Sequence, residues 1–226
     1  CISESVFSIG NGKMGQRANF EEHFSGETLQ GSYVAGVYYP DKTRVGWWKN
    51  GYPEYFAKVL NAANWIGIKV EFDGEALDLA KCEVSNFRRV LNMKEGYLER
   101  TFTARMVSGK EVQVAAKRFC SIVDDEVGAI RYAIKPLNFS GTLTVTPYVD
   151  ADIVNRDSNY DEKFWVEIET SVKRRKGFVV AETRKTAFQV CTGMKFALFQ
   201  DGKETEFNSY RIQREKYIGC SVDLRC

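Results

Sequence analysis

The feature that most restricts this chain's fold is an alternation of apolar and polar residues with a period of two. In AIRYAIK, Ile130, Tyr132 and Ile134 share one phase while Arg131 and Lys135 take the other. In TLTVTPYV, Leu143, Val145, Pro147 and Val149 alternate with threonines. In FWVEIETSV, Phe164, Val166, Ile168 and Val172 alternate with Glu167, Glu169 and Ser171. Cys120 falls in phase with Val112, Val114, Ala116 and Ile122 and is expected as a buried thiol. Strands with one dry face and one wet face are those of antiparallel sheets.

The punctuation between these stretches agrees. EFDGEAL and FQDGKE each place Asp-Gly between strand-like arms, the strongest short hairpin signal. LNMKEGYLER and MVSGKEV supply two more glycine-containing turns, and Lys173-Arg-Arg-Lys176 is read as a solvated hairpin tip. EYFAKVLNAANW is read as holding a turn or two of helix; no long amphipathic helix and no internal repeat accompany about a dozen strands. The expected fold is all-β, a large antiparallel β-sandwich, with residues 1–226 forming a single domain, a size common for all-β units.

Composition excludes several classes of function. With 32 basic and 30 acidic side chains there is no charge imbalance to draw nucleic acid or a membrane surface. No signal peptide and no apolar run of membrane-spanning length is present, although the first residue is Cys1 rather than Met. The 6 cysteines include no C-x-x-C pair, the lone His23 offers little toward a zinc site, and any Ser-His or Cys-His pair would depend wholly on His23, which is read as incidental. Reduced thiols and a cytoplasmic location are the expectation for a chain large enough to build its own core.

Gly10-Asn-Gly12-Lys-Met-Gly15 matches G-x-G-x-x-G, the spacing of a dinucleotide-binding turn. That fingerprint requires a strand before the turn and a helix after it, and here strand-formers follow instead. No cofactor is expected, and the glycines are read as a tight turn.

Two long loops carry the remaining signal. YYPDKTRVGWWKNGYPEYF sets Trp47 and Trp48 side by side among prolines and tyrosines, and long loops of such composition are usually functional. For the tryptophan pair a domain or subunit interface ranks first, a sugar contact second and the domain's own core third. Tyr39, Asp41, Arg44, Trp47, Trp48 and Tyr52 are the candidate rim or interface residues. VDADIVNRDSNYDEKFW gathers Asp150, Asp152, Asp157, Asp161 and Glu162, but Asn155 and Arg156 interrupt any EF-hand spacing, so no metal is assigned. Residue chemistry alone names no reaction and no catalytic residue.

Several of these stretches look familiar. ESVFSIGNGKMGQRANFEE, SGETLQGSYVAGVYYPDKTRVGWWKNGYPEYFAKV, FDGEALDLAK, PLNFSG and DADIVNRDSNYDEKFW resemble the N-terminal domain of glycoside hydrolase family 65. The likeness runs from Glu4 to about Trp165 and fades after Thr183. Within the family the YPDKTRVGWWKNGYP loop is most similar to that of the maltose phosphorylases. Gly10, Gly12 and Gly15 then fall in the family's SLGNG-x-G turn, with Lys13 where members often carry a bulky residue.

The resemblance implies a β-supersandwich of the galactose-mutarotase-like kind, followed by a helical linker and a catalytic (α/α)6 barrel that this chain lacks. The chain is also expected to stop short of the sandwich's last strand. The implied reaction is inverting phosphorolysis, maltose and inorganic phosphate giving β-glucose 1-phosphate and glucose, with phosphate a co-substrate. Implied partners are the barrel of the same polypeptide, a second copy in a homodimer and a disaccharide, with no nucleic acid and no membrane. A stand-alone carbohydrate-binding module is the alternative, and a purely structural oligomerisation domain a further one. An aldose epimerase shares the architecture but needs histidines that a chain with one histidine lacks.

Overall fold

A computed structural model describes residues 2–43, 51–156 and 162–226. Every strand pairing is antiparallel, and the one helix among the described residues is the short Ile2–Val6. No described helix is long and apolar enough to cross a membrane.

A five-stranded sheet organises the molecule, in the order Ser209–Arg214, Tyr217–Arg225, Thr142–Asp150, Ile68–Phe72, Glu75–Ala76. Its register sets Leu143 opposite both Phe72 and Leu224, and Val145 opposite both Val70 and Val222, so these side chains share one face. Val149, Ile218 and Cys220 continue the same face along the sheet. Two other sheets cover it in succession.

A four-stranded sheet (Gly128–Pro136, Glu111–Cys120, Tyr97–Arg105, Glu83–Asn92) covers one end, packing Phe102, Ala104, Val112 and Val114 against Val70, Phe72, Leu143 and Val145. A three-stranded sheet (Trp165–Lys173, Lys176–Thr183, Gln189–Lys195) covers the other, where Val172, Val179 and Ala181 meet Val149, Ile218 and Cys220. This is the all-β sandwich that the alternation predicts, and the strand Thr142–Asp150 serves both cores.

Both Asp-Gly turns form as read. Asp73 and Gly74 have φ of 50° and 83°, and Asp201 and Gly202 have φ of 50° and 79°. Two consecutive left-handed residues make the type I′ geometry that matches strand twist. Gly10, Gly12 and Gly15 lie on a third hairpin, Ile9–Gly10 with Met14–Gln16, and no helix follows them. Asn11 holds this turn: its side-chain oxygen accepts from the N–H of Met14 at 2.8 Å, while its amide donates to the carbonyl of Asp125 at 2.8 Å.

Four expectations need correction. The EYFAKV stretch is not helical; Tyr55–Val59 is a strand paired with Tyr38–Lys42. Val166 and Ile168 point outward and Trp165 inward, because a register shift between Glu167 and Glu169 reverses the phase before Val172. Cys120 is buried, but Ile122 lies past the strand end and is exposed. The Lys173–Lys176 tip is more than solvated: Arg174 and Arg175 each bond Glu206 at 2.9 Å, and Arg175 bonds Glu204 as well.

Candidate functional site

The aromatic loop rises from the hairpin Tyr38–Lys42 and Tyr55–Val59. Alternation decides which of its side chains are presented. Tyr39 turns inward, 2% exposed, with its ring centroid 4.4 Å from that of Phe164, and Lys185 lies over its outer edge. Tyr39 is therefore a core anchor, which corrects its placement at a rim. Asp41 is paired with Lys58 across the hairpin and carries structural charge. Tyr52 is exposed and meets the exposed Phe56 edge-on at 6.4 Å, and Tyr55 and Val59 are exposed beside them. Arg44, Trp47 and Trp48 lie outside the described residues.

Next to this hairpin opens a polar cleft of about 360 Å³, lined by residues of four separate segments. Its floor is a net of buried amides. Asn61 accepts from the N–H of Ser32 at 2.8 Å and donates to the Gln30 carbonyl at 2.8 Å. Asn155 accepts from the N–H of Asn61 at 2.9 Å and donates to the Val59 carbonyl at 2.9 Å. The indole N–H of Trp165 donates to the Asn61 carbonyl at 2.8 Å. The chain LNAANW thus supplies asparagines where two loops must be joined without a strand, and satisfied buried amides fix those loops.

On the rim, Asn64 and Asp150 form an isolated antiparallel bridge, bonded through their backbones at 2.7 and 3.0 Å. Burial raises the pKa of the Asp150 carboxyl. Asp152 behaves in the opposite sense: its bond from Lys163 at 2.6 Å lowers it, with Lys216 adding at 3.8 Å. Asp152 is thereby committed to two ammonium groups and is no free base. Asp157 and Asp161 lie outside the described residues. No group of three potential metal ligands occurs among the described residues, and His23 sits on the surface 3.8 Å from Asp78. The cleft can hold a ligand by hydrogen bonds but assembles no nucleophile with its base.

Beneath the N-terminal segment lies a charged cluster that alternation alone does not predict. Arg100 bonds both oxygens of Glu22 and one of Glu21, and Arg118 bonds the other oxygen of Glu21 at 2.7 Å. Tyr132 donates to Glu22 at 3.1 Å. All five groups are buried or nearly so. Burial opposes the charges, yet Arg118 and Arg100 keep the Glu21 pKa low, and Glu22 and Glu21 keep that of Arg100 high. The legible signal is phase: Arg100 and Arg118 occupy inward positions between Leu98 and Phe102 and between Ala116 and Cys120. A buried arginine on that face needs buried carboxylates.

A family model described as glycosyl hydrolase family 65, N-terminal domain, matches residues 2–226. The maltose phosphorylase of Bacillus subtilis (strain 168) is 46% identical over 187 residues, covering 83% of this chain and 25% of that protein. The α,α-trehalose phosphorylase of Thermoanaerobacter brockii is 31% identical over 237 residues, covering 98% of this chain and 30% of that protein. The kojibiose phosphorylase of the same organism is 28% identical, covering 96% of this chain and 27% of that protein. The chain thus spans under a third of the length of each of these relatives. A solved structure assigned as a kojibiose phosphorylase from human microbiome superposes with a TM-score of 0.84 over 99% of this chain and 28% of its own, at 22% identity, which establishes likeness of fold.

Proposed function

The chain belongs to glycosyl hydrolase family 65, as its N-terminal domain, and on that premise we propose that it is the non-catalytic β-domain of a maltose phosphorylase. The observation that carries the disaccharide is the gap in identity, 46% to a maltose phosphorylase against 31% and 28% to trehalose and kojibiose phosphorylases. In the reaction so inferred, phosphate is the nucleophile, so a single carboxylic acid that protonates the leaving oxygen suffices. That acid and the phosphate-binding groups belong to the (α/α)6 barrel of the longer polypeptide.

The domain's own work is then mechanical. It seats the barrel, and the hairpin carrying Tyr52 and Phe56 meets either the barrel's active-site rim or the second subunit of a homodimer. Exposed aromatic side chains on a two-stranded arm are what an interface centre uses.

Phosphorolysis tests the reading. A version extended through the natural downstream coding region should consume maltose with phosphate in preference to trehalose and kojibiose, while the 226-residue chain stays inactive. Activity in the short chain, or a preference for another disaccharide, overturns it. In the extended enzyme, Trp47→Ala with Trp48→Ala should weaken dimerisation or raise the maltose KM. If neither changes, the loop is not the contact.

A further inference from the structure

We propose that the cleft rimmed by Asn64, Asp150 and Arg156 is a carbohydrate-binding site of this domain. The inference goes beyond the function proposed above and does not depend on which disaccharide the longer protein cleaves.

The bridge between Asn64 and Asp150 is the central observation. Side chains of directly opposed residues stand on the same side of the pairing and close together. Asn64 uses its side-chain oxygen to accept from the N–H of Ile66 at 3.3 Å, so its amide N–H groups remain for a ligand. Asp150 uses one carboxylate oxygen to accept from the N–H of Asp152 at 2.8 Å, so the other remains. A donor and an acceptor are thus fixed side by side by backbone bonds. Two neighbouring hydroxyls of a pyranose ring need that arrangement, one accepting from the amide and the other donating to the carboxylate.

The walls narrow the ligand further. The lining holds two guanidinium groups, Arg17 and Arg156, and two carboxylates, Asp150 and Asp152, with Asp152 already engaged by Lys163 and Lys216. The polar walls give an apolar ligand nothing to gain, and the fixed donor and acceptor of Asn64 and Asp150 match a neutral polyhydroxylated molecule. The volume of about 360 Å³ is at the small end of ligand sites and suits a mono- or disaccharide. The floor requires no rearrangement, because Asn61 and Asn155 are already bonded to backbone on both sides of their amides.

The test uses the 226-residue chain and amide NMR. Titration with glucose and with maltose should move the signals of Asn64, Asp152 and Tyr33 to saturation in the millimolar range. Asp150→Asn keeps the shape of the side chain and should weaken binding about tenfold, as expected for a charge-assisted bond. Arg156→Ala alters an exposed side chain and should weaken binding without changing the far-UV spectrum. Inorganic phosphate alone should leave these signals in place. No saturable shift with either sugar, binding that both variants leave unchanged, or occupancy by phosphate instead of sugar would each overturn the site. Failure of maltose phosphorolysis in the extended enzyme would overturn the reaction proposed above while leaving this measurement unaffected.

Discussion

Arg118 reaches 2.7 Å from Glu21 across 97 residues of chain, and the second oxygen of the same carboxylate belongs to Arg100. One buried carboxylate thus ties the N-terminal segment to two neighbouring strands of the four-stranded sheet. Removing one member of such a cluster strands the others without a counter-charge. Glu21→Ala should lower the unfolding free energy by about 3–5 kcal/mol, read from urea denaturation. A loss below about 1 kcal/mol would mean that Glu22 alone neutralises both arginines.

Asn61 ties the Gln30–Ser32 segment with its side chain, while Asn155 ties its own loop to the backbone of Val59 and Asn61. Each single replacement by alanine should cost about 1–3 kcal/mol, because a buried backbone N–H loses its acceptor. The bond between them uses the backbone N–H of residue 61, which survives Asn61→Ala, so the two side chains share no bond and the double replacement should cost about the sum of the singles. A departure from additivity above about 0.5 kcal/mol in a double-mutant cycle would show that the two loops are coupled.

Asp78 is one of the carboxylates that make the fold sensitive to acid. Burial works against its carboxylate, but hydrogen bonds from Ser25 and the Ala80 N–H outweigh that and hold its pKa at about 2, below the ordinary 3.8. A folded-state pKa below the unfolded value means stability that is complete above about pH 4 and drains away as pH falls toward 2. Asp78→Asn should flatten the melting temperature across that window while also lowering it at neutral pH. An unchanged slope between pH 4 and pH 2 would assign acid sensitivity to another carboxylate.

Gly67 has no room for a side chain. A Cβ there would come within 2.2 Å of the ring of Tyr148, which is itself stacked on Tyr217 at 5.3 Å. Gly67→Ala should therefore destabilise by about 1–3 kcal/mol. Gly193→Ala is the control: its Cβ would meet ordinary contacts of 3.5 Å and longer, and stability should change by less than about 0.5 kcal/mol. Equal effects at both positions would show that the Tyr148 ring moves aside freely.

What could be read from the sequence was local, and what was missed was not. Asp73-Gly74 and Asp201-Gly202 specify their own turns through two left-handed residues each, so nothing distant had to be known. The phase of Leu143, Val145 and Val149 likewise marks the buried face of a strand unaided. Trp165 escaped because a one-residue shift inside its strand exchanges the faces of a stretch apolar on both. Tyr39 and Tyr52 both looked like rim residues; only the Phe164 ring, 125 positions further along, decides that Tyr39 is core. The sugar cleft was illegible for a similar reason. Asn64 and Asp150 are unremarkable residues until a bridge sets them side by side.

The long-range ties of the N-terminal segment also dictate an order of events in time. Asn19 offers its carbonyl to Arg118, Ser32 waits on Asn61, and Asn61 in turn waits on Asn155 and Trp165. During synthesis residues 17–32 leave the ribosome long before these partners exist, and closing such loops is slow. Until Arg100 and Arg118 have emerged, Glu21 and Glu22 remain solvated carboxylates on an unfinished chain. A segment made early is therefore seated late, and a ribosome paused before Arg100 should carry a nascent chain that proteases cut between Gln16 and Ser32.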